Sequence, residues 1–222
     1  MNEEEHTLPR NKYPEETREK IIDAGFQTFS EKGYEESTVL DIVANMNGLT
    51  RGAFYHHFKS KEKVLSAVCE RIFYNNNPFE KVREEKNLSG LEKLRKALKN
   101  NMARQRTDFA VLNSVGKTLN NSPQFFMWQM EFNASLSRKY VQPLIEEGIA
   151  DGSIREQDPQ VLAELFVVLF SFWLGSAFLT GDAAYMESKA TAIIEILEQF
   201  GLSIYDEEFE ELGQAWIENE LQ

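Results

Sequence analysis

Residues 37–65 read STVLDIVANMNGLTRGAFYHHFKSKEKVL. Apolar residues in this stretch recur every three or four positions, which is the period of an amphipathic helix. Thr38 and Asp41 form a capping signature, which predicts a first short helix that ends near Gly48. Thr50 is placed to cap a second short helix. Two short helices joined by a tight glycine-containing turn are typical of a helix-turn-helix.

The remainder of the chain keeps the same helical period, so we predict an all-α protein. Pro14 suits the first position of a helix that ends at Gly33. The apolar stripes of the N-terminal elements place four side chains in the core: Phe29, Ile42, Phe54 and Phe58. A fourth helix is predicted from Ser60 to about Asn75. Later helices are predicted at 89–104, 106–118, 123–148, 159–180, 183–200 and 206–220. Pro143 is expected to kink or break the third of these.

The composition favours one compact unit or two small ones, because 42% of the 222 residues are apolar. The single cysteine, Cys69, cannot form an internal disulfide, and the opening residues MNEEEHTLPRNKYPEE lack the apolar core of a secretory signal. We therefore expect a cytoplasmic protein. The most apolar run, Val161 to Leu179, is interrupted by polar residues, so we expect a buried helix there and not a membrane span.

Charge is distributed unevenly along the chain. The formal net charge is −12, but residues 107–222 hold 5 basic and 19 acidic side chains, whereas residues 1–106 hold 19 basic and 17 acidic. Two stretches of the N-terminal half are locally basic, Thr50 to Lys63 and Lys81 to Arg106. Both are candidates to face the phosphates of a nucleic acid.

The second short helix is the candidate recognition helix, because its non-core face carries short or polar residues at the end that enters a major groove. Gly52 and Ala53 allow the backbone to approach closely. Arg51 and Thr50 are candidates to read base edges, and the residues placed to bond phosphate oxygens are Thr50, Tyr55, Lys59 and Lys61. The complete set of predicted DNA contacts is Thr38, Thr50, Arg51, Gly52, Ala53, Tyr55, His56, Lys59 and Lys61. Adjacent His56 and His57 point to different sides of a helix, so no metal site and no cofactor are predicted.

The quoted stretch resembles the N-terminal signature of the tetracycline-repressor type, or TetR/AcrR, transcriptional regulators, over roughly residues 14–70. The positions that carry the resemblance are Thr38, Ile42, Gly48, Leu49, Thr50, Gly52, Tyr55, His57, Phe58, Lys61, Glu62 and Leu65. Six steps separate Ile42 from Gly48, where the family usually has five, and Val43 replaces the usual alanine. The turn is therefore predicted to be one residue longer.

The resemblance implies an all-α homodimer whose three-helix DNA-binding domain, residues 1–60, is joined by helix four to a helical effector-binding and dimerisation domain, residues 61–222. It implies a ligand-responsive regulator, by family habit a repressor, that binds a palindromic operator and is released by a small hydrophobic effector. Two conformers would differ in the spacing of their recognition helices, and the effector would favour one of them. We expect helices 159–180 and 183–200 of each chain to form the dimer contact.

Aromatic residues are abundant in the C-terminal half, and some are candidates to line an effector cavity. The predicted ligand contacts are Asp108, Phe109, Phe125, Trp128, Glu131, Phe132, Phe166, Phe170 and Trp173. Carboxylates beside aromatic rings favour a cationic lipophilic effector. The alternative interpretation is that these rings are ordinary hydrophobic core.

The sequence motifs also bear on two other classes of function, an enzyme and a protein-interaction module. An enzyme finds no support, because the sequence has no phosphate-binding glycine loop after a strand, no GxSxG, no HExxH and no Cys/His pair around Cys69. A helical protein-interaction module that no longer binds DNA stays open, with the acidic C-terminal surface as its working face.

Overall fold

The computed structural model describes residues 14–74, 77–103, 123–174 and 181–220, and these ranges contain helices and connecting turns without a β-strand. The prediction of an all-α fold is confirmed. Within these ranges no helix combines the length and apolar character that a membrane span needs. The chain divides into two compact units, Met1–Glu70 and Arg71–Gln222, so the structural division falls later than the boundary predicted at residue 60.

Four helices begin in the first unit: α1 (Pro14–Lys32), α2 (Val39–Ala44), α3 (Arg51–His57) and α4 (Lys61–Tyr74). Each starts within a residue of the predicted position, because the start signals are local. Thr38 Oγ1 accepts the backbone N–H of Asp41, and the Asp41 carboxylate accepts the backbone N–H of Thr38, which together form a capping box. Thr50 Oγ1 accepts the N–H of Ala53 at 3.2 Å and caps α3 in the same manner.

The core of the first unit is built from the predicted apolar stripes. Phe29, Ile42, Phe54 and Phe58 are buried, as predicted, together with Ile21, Met46 and Leu65. Each such side chain contributes roughly 1.5–3 kcal/mol relative to its exposed state. Because these side chains pack together between the helices, α3 keeps one face toward the core and the other toward solvent.

The turn between α2 and α3 accommodates the additional residue with left-handed backbone. Asn47 has a φ of 47° and Gly48 a φ of 89°, a region that L side chains other than Asn and Asp rarely adopt. Asn45 closes α2 by donating its N–H to carbonyls of the last turn. The longer turn is therefore formed by two consecutive residues whose types tolerate positive φ.

The second unit contains α5 (Pro78–Arg83), α6 (90–103), α7 (Pro123–Leu136), α8 (Gln142–Asp151), α9 (Pro159–Val167), α10 (Ala183–Gln199) and α11 (Glu207–Glu220). Its core includes the fully buried Leu94, Val141, Ile145, Leu162 and Ile193. The predicted helix at 106–118 and the last turn of the helix predicted at 159–180 lie outside the described residues. Helix α5 was not predicted, although Asn77 caps this helix and Pro78 is its first residue.

Pro143 does not break its helix, but the regular α-helix is interrupted directly before it. A π-helical segment, Ser137–Val141, joins α7 directly to α8, and the N–H of Gln142 donates to the carbonyl of Ser137, five residues back. The wider π turn separates Pro143 from the carbonyl with which its ring would clash in an α-helix. A second π-helical segment, Val168–Leu174, continues α9.

Candidate nucleic-acid interface

The face of α3 that points away from the core carries the residues predicted to contact DNA. Phe54 is fully buried on the inner face, whereas Arg51, Gly52 and His56 are exposed. The Tyr55 side chain is 41% exposed. The helix therefore divides into one buried anchor and an outer face available to a partner.

Arg51 and Tyr55 are neighbours on this outer face. The guanidinium carbon of Arg51 lies 5.5 Å from the centroid of the Tyr55 ring, and the Tyr55 ring meets the buried Phe54 ring edge-on at 5.2 Å. The anchored tyrosine thereby restricts the orientations of the arginine side chain.

Gly52 has no structural reason to be glycine within its own unit. A Cβ at this position would meet only the Thr50 Oγ1 at 3.6 Å, an ordinary contact, and the backbone is helical without positive φ. Glycine in a helix is less stable than alanine by roughly 0.5–1 kcal/mol. The exposed surface at Gly52 is therefore an open approach to the backbone of α3.

The outer face of α3 is positively charged, although the first unit as a whole is not. Residues 49–60 include Arg51 and Lys59 and no acidic side chain. Lys59 is exposed, and its ammonium is accessible to solvent beside the end of α3. The positive field that phosphate would meet is therefore local to α3 and the residues that follow it.

Lys61 differs from its predicted role as an exposed phosphate contact. Its ammonium donates to the main-chain carbonyls of Tyr34 at 3.0 Å, Glu35 at 3.3 Å and Ser37 at 2.9 Å. Thr38 is exposed, but its hydroxyl serves the capping box of α2, where it bonds Asp41 Oδ2 at 2.7 Å. The structure therefore groups Thr50, Arg51, Gly52, Tyr55, His56 and Lys59 on or beside α3, with the half-buried Ala53 behind them.

The second basic stretch is not the phosphate-facing surface that its composition suggested. Three of its lysines form ion pairs inside the second unit: Lys93 with Glu147 at 2.5 Å, Lys96 with Glu85 at 2.6 Å, and Lys99 with Asp206 at 2.9 Å and Glu208 at 2.5 Å. Arg95 donates to the carbonyl of Ser203. Glu147, Asp206 and Glu208 lie outside this stretch, at least 54 residues from their lysines, so local composition could not reveal these pairings.

His57 is half-buried at the end of α3. Burial, and then the charge of His56, lower its pKa, and its Nε2 has no hydrogen-bond partner within the described residues. The two imidazole rings meet edge-on with centroids 5.0 Å apart. Among the side chains that the structure describes, no group of three or more His, Cys, Asp or Glu is placed to hold a metal ion.

The predicted effector contacts fall into separate groups in the second unit. Trp128 and Phe132 stack with centroids 5.4 Å apart, and Phe166 and Phe170 lie 4.9 Å apart. Phe166 is buried in the main core, and Phe170 and Trp173 pack against that core. Glu131 is exposed on α7. Asp108, Phe109 and the side chain of Phe125 lie outside the described residues.

The sequence analysis missed two features of this unit. Phe73 joins the aromatic group, because its ring lies 5.2 Å from Phe132 and 5.9 Å from Tyr140. Lys189 is buried, its ammonium donates to the Trp173 carbonyl, and burial lowers its pKa. Trp173 lies in the second π-helical segment, and no sequence pattern predicted that segment.

A family model described as "Bacterial regulatory proteins, tetR family" matches residues 21–68, the segment that contains α2 and α3. The chain is 35% identical over 95 residues to YerO of Bacillus subtilis, an uncharacterized HTH-type transcriptional regulator, which covers 42% of this chain and 32% of that protein. It is 50% identical over 54 residues to the HTH-type transcriptional regulator SrpR of Pseudomonas putida, which covers 24% and 25%. With the HTH-type transcriptional repressor KstR2 of Mycolicibacterium smegmatis it shares 28% identity over 64% of this chain and 69% of that one.

Solved structures extend the likeness of fold to both units. A TetR-family regulator from Pectobacterium atrosepticum superposes with a TM-score of 0.60 at 24% identity, over 86% of this chain and 97% of that one. A TetR-family protein from Syntrophomonas wolfei gives a TM-score of 0.61 at 19% identity, over 84% and 95%.

Fold and site together define an all-helical protein with an N-terminal helix-turn-helix. Residues 21–68 match the tetR family of bacterial regulatory proteins, as the sequence resemblance predicted for this part of the chain. The match of the chain spans about a third and a quarter of the length of the first two curated relatives, YerO and SrpR. These comparisons are with regulators, and they agree with the prediction that the chain is not an enzyme.

Proposed function

We propose that the chain is a dimeric, sequence-specific DNA-binding regulator of transcription that inserts the N-terminal half of α3 into the major groove. The observation that carries this proposal is the uncovered backbone at Gly52, within a segment that has basic and no acidic side chains. A polyanion that approaches α3 closely explains both features, whereas a protein interaction through the acidic C-terminal surface explains neither.

The outer face of α3 offers the donors that such a contact needs. The planar guanidinium of Arg51 can donate to guanine O6 and N7 at the same time. Thr50, the preceding residue, can bond the edge of a second base. Tyr55 and Lys59 are placed to bond phosphate oxygens on the flanking backbone. His56 is exposed one residue further along, and Thr38 opens the preceding helix. Such a function requires the compartment that holds chromosomal DNA, which in bacteria is the cytoplasm.

The experiment pairs binding with stability. A preferred duplex is selected from a random pool with the full chain, and its affinity is measured by fluorescence anisotropy. Gly52→Ala is expected to leave the melting temperature unchanged or slightly higher, and to weaken binding by tenfold or more, on the order of 1.4 kcal/mol, because the added methyl group occupies the approach to the backbone.

Gly213→Ala is the matched control. Gly213 lies in α11 of the second unit, where an added Cβ would meet only the Met102 Cε at 3.8 Å. This variant is expected to bind the duplex as tightly as the parent chain. Failure to enrich any sequence, or equal affinity of Gly52→Ala and the parent, would exclude the proposed contact and favour a protein-interaction module.

The proposed dimer contact is formed by α10 and by α9 with its π-helical continuation. These helices lie within the ranges 159–180 and 183–200. Val161 and Val168 are 59% and 53% exposed on the first of these helices. Large apolar side chains that lie exposed together on a helix are typical of a surface covered by another subunit. A palindromic operator would match the two-fold axis of such a dimer.

For the effector, the proposal is a small hydrophobic molecule, of cationic class, that releases the regulator from its operator as a repressor. The stacked Trp128 and Phe132 rings lie on the same helix as the exposed Glu131 carboxylate, a combination suited to a lipophilic cation. A thermal-shift series with matched cationic and neutral hydrophobic compounds tests this class. A larger rise with the cationic members, lost in Glu131→Gln, supports it, and equal rises would exclude the cationic preference.

A further inference from the structure

We infer that Lys61 is a positioning residue that fixes the entry to the helix-turn-helix, and that it is not a phosphate ligand. The inference rests on the DNA-binding function proposed above. It concerns how the first unit holds its reading surface in place. Three observations carry it: the partners of the ammonium, the ring beneath it, and the segment to which it is bound.

The Lys61 ammonium has no N–H left for phosphate in this arrangement. A lysine ammonium has three donors. The carbonyls of Tyr34, Glu35 and Ser37 lie 3.0, 3.3 and 2.9 Å from Nζ, so each donor has a main-chain acceptor within hydrogen-bond distance. Contact with a phosphate would require at least one of these bonds to be given up.

The Tyr34 side chain completes the site of the ammonium. Lys61 Nζ lies 4.2 Å from the centroid of the Tyr34 ring, which is 4% exposed and packs against Phe29. The Tyr34 hydroxyl donates to the Glu62 carboxylate, and burial together with this carboxylate raises the pKa of Tyr34. Lys61 and Glu62, the first residues of α4, therefore both bind the same turn.

That turn is the connection between α1 and α2. Residues 34–37 follow α1 directly, and Thr38, the next residue, caps α2. Ser37 Oγ donates to the Gly33 carbonyl at 2.6 Å. This hydroxyl therefore does not compete with the ammonium for the carbonyls of Tyr34, Glu35 and Ser37. By holding these carbonyls, the start of α4 fixes the position at which α2 begins.

The functional consequence is indirect. The proposed contacts of α3 require α2 and α3 to keep a constant angle, because α2 packs against α3 in a helix-turn-helix. Removal of the ammonium takes this donor from the carbonyls of Glu35 and Ser37 and leaves the Tyr34 carbonyl with only the Ser37 N–H, so the turn loosens and α2 loses its fixed start. Affinity for DNA then falls although no phosphate contact has been removed.

Salt dependence separates positioning from contact. Each lysine that neutralises a phosphate adds about 0.9 to the slope of log K against log salt concentration. Lys59→Gln is expected to lower the magnitude of the slope by about one per protomer. Lys61→Met is expected to weaken binding by threefold or more, on the order of 0.7 kcal/mol, with the parent slope retained. Lys61→Arg, which keeps N–H donors in the site, is expected to restore most of the affinity.

Hydrogen exchange on the DNA-free full chain supplies the second readout. Amides of residues 38–42 are expected to exchange faster in Lys61→Met than in the parent, and at the parent rate in Lys59→Gln. A reduced slope for Lys61→Met with unchanged exchange at these amides would overturn the inference. If Lys61→Met does not fold, Lys61→Gln takes its place: the parent slope with faster exchange at residues 38–42 supports positioning, and a reduced slope with parent exchange contradicts it.

A chain that binds no duplex at all would refute the proposed function, and the inferred role in DNA recognition would fall with it. In that event the exchange measurement on the free protein still decides whether Lys61 fixes the turn. The two failures are therefore distinguishable.

Discussion

The guanidinium of Arg51 lies over the ring of Tyr55, one helical turn further along α3, with 5.5 Å between the guanidinium carbon and the ring centroid. An exposed cation–π contact contributes about 0.5–1 kcal/mol. Its value here is orientation, because contact with the ring restricts the positions that the guanidinium can take. A fixed fork is the geometry that guanine recognition requires.

We predict that Arg51→Ala relaxes specificity at one guanine of the selected duplex and costs about 1–3 kcal/mol there. Tyr55→Phe should keep the discrimination for guanine, because the ring remains, whereas Tyr55→Leu should lose part of it. Binding to duplexes with 7-deazaguanine at single positions measures the effect. Equal sensitivity of Arg51→Ala and the parent chain to every such replacement would contradict this role.

Acid stability should depend on Asp41. Hydrogen bonds from Lys32 and Thr38 lower the pKa of this carboxyl from 3.8 to about 2. Because the pKa is lower in the folded state, the carboxylate stabilises the unit above about pH 4, and its contribution is lost as the pH falls toward 2.

The measurement is a series of thermal melts between pH 5 and pH 2, monitored by far-ultraviolet circular dichroism. Asp41→Asn should lose less stability over this window than the parent chain, whereas Glu36→Gln, at an exposed carboxyl of the same unit, should follow the parent. Coincident profiles for all three proteins would show that the capping box does not carry the effect.

The ion pair between Lys93 and Glu147 should respond unequally to removal of its two members. Lys93 is 4% exposed, whereas the Glu147 side chain is 42% exposed. Glu147→Gln leaves a buried ammonium without its carboxylate and should cost about 2–3 kcal/mol. Lys93→Met should cost less than about 1 kcal/mol, because Glu147 can turn to water. Urea unfolding of the full chain compares the two, and the reverse order would refute this account of the second unit.

The dimer contact should fail when charge is placed on its apolar surface. Val161→Glu combined with Val168→Glu is expected to convert the dimer to a monomer in sedimentation experiments, because two carboxylates would be buried against the partner subunit. Leu40→Glu is the control, since Leu40 is equally exposed but lies on α2 in the first unit. A dimer that persists in the double variant would place the interface elsewhere.

Local signals were sufficient to predict the first unit. The caps at Thr38 and Thr50 act on amides three residues away, so their spacing alone identified the starts of α2 and α3. Interactions between distant residues were not predictable in this way. Lys61 and Tyr34 are 27 residues apart, and no periodicity connects an ammonium at the start of one helix with carbonyls in an earlier turn.

The second unit was less predictable, because its deviations come from packing. Pro143 is tolerated only through the π-helical segment before it, and the sequence has no distinct signal for such a segment. The basic stretch that begins at Lys81 illustrates the same limit. Its composition favoured a phosphate surface, whereas Lys93 and Lys99 find carboxylates brought close by the fold.

The central claim is that α3 binds a duplex although the chain as a whole is acidic. Its most direct test is the affinity of the full chain for the selected duplex, measured between 50 and 200 mM salt with the parent and with an Arg51→Gln, Lys59→Gln double variant. We expect log K to fall linearly with log salt concentration in the parent, and the magnitude of the slope to be lower by about one per protomer in the double variant, because Lys59 faces phosphate whereas Arg51 reads a base edge. A slope near zero in the parent, or one that the double substitution leaves unchanged, would contradict the claim.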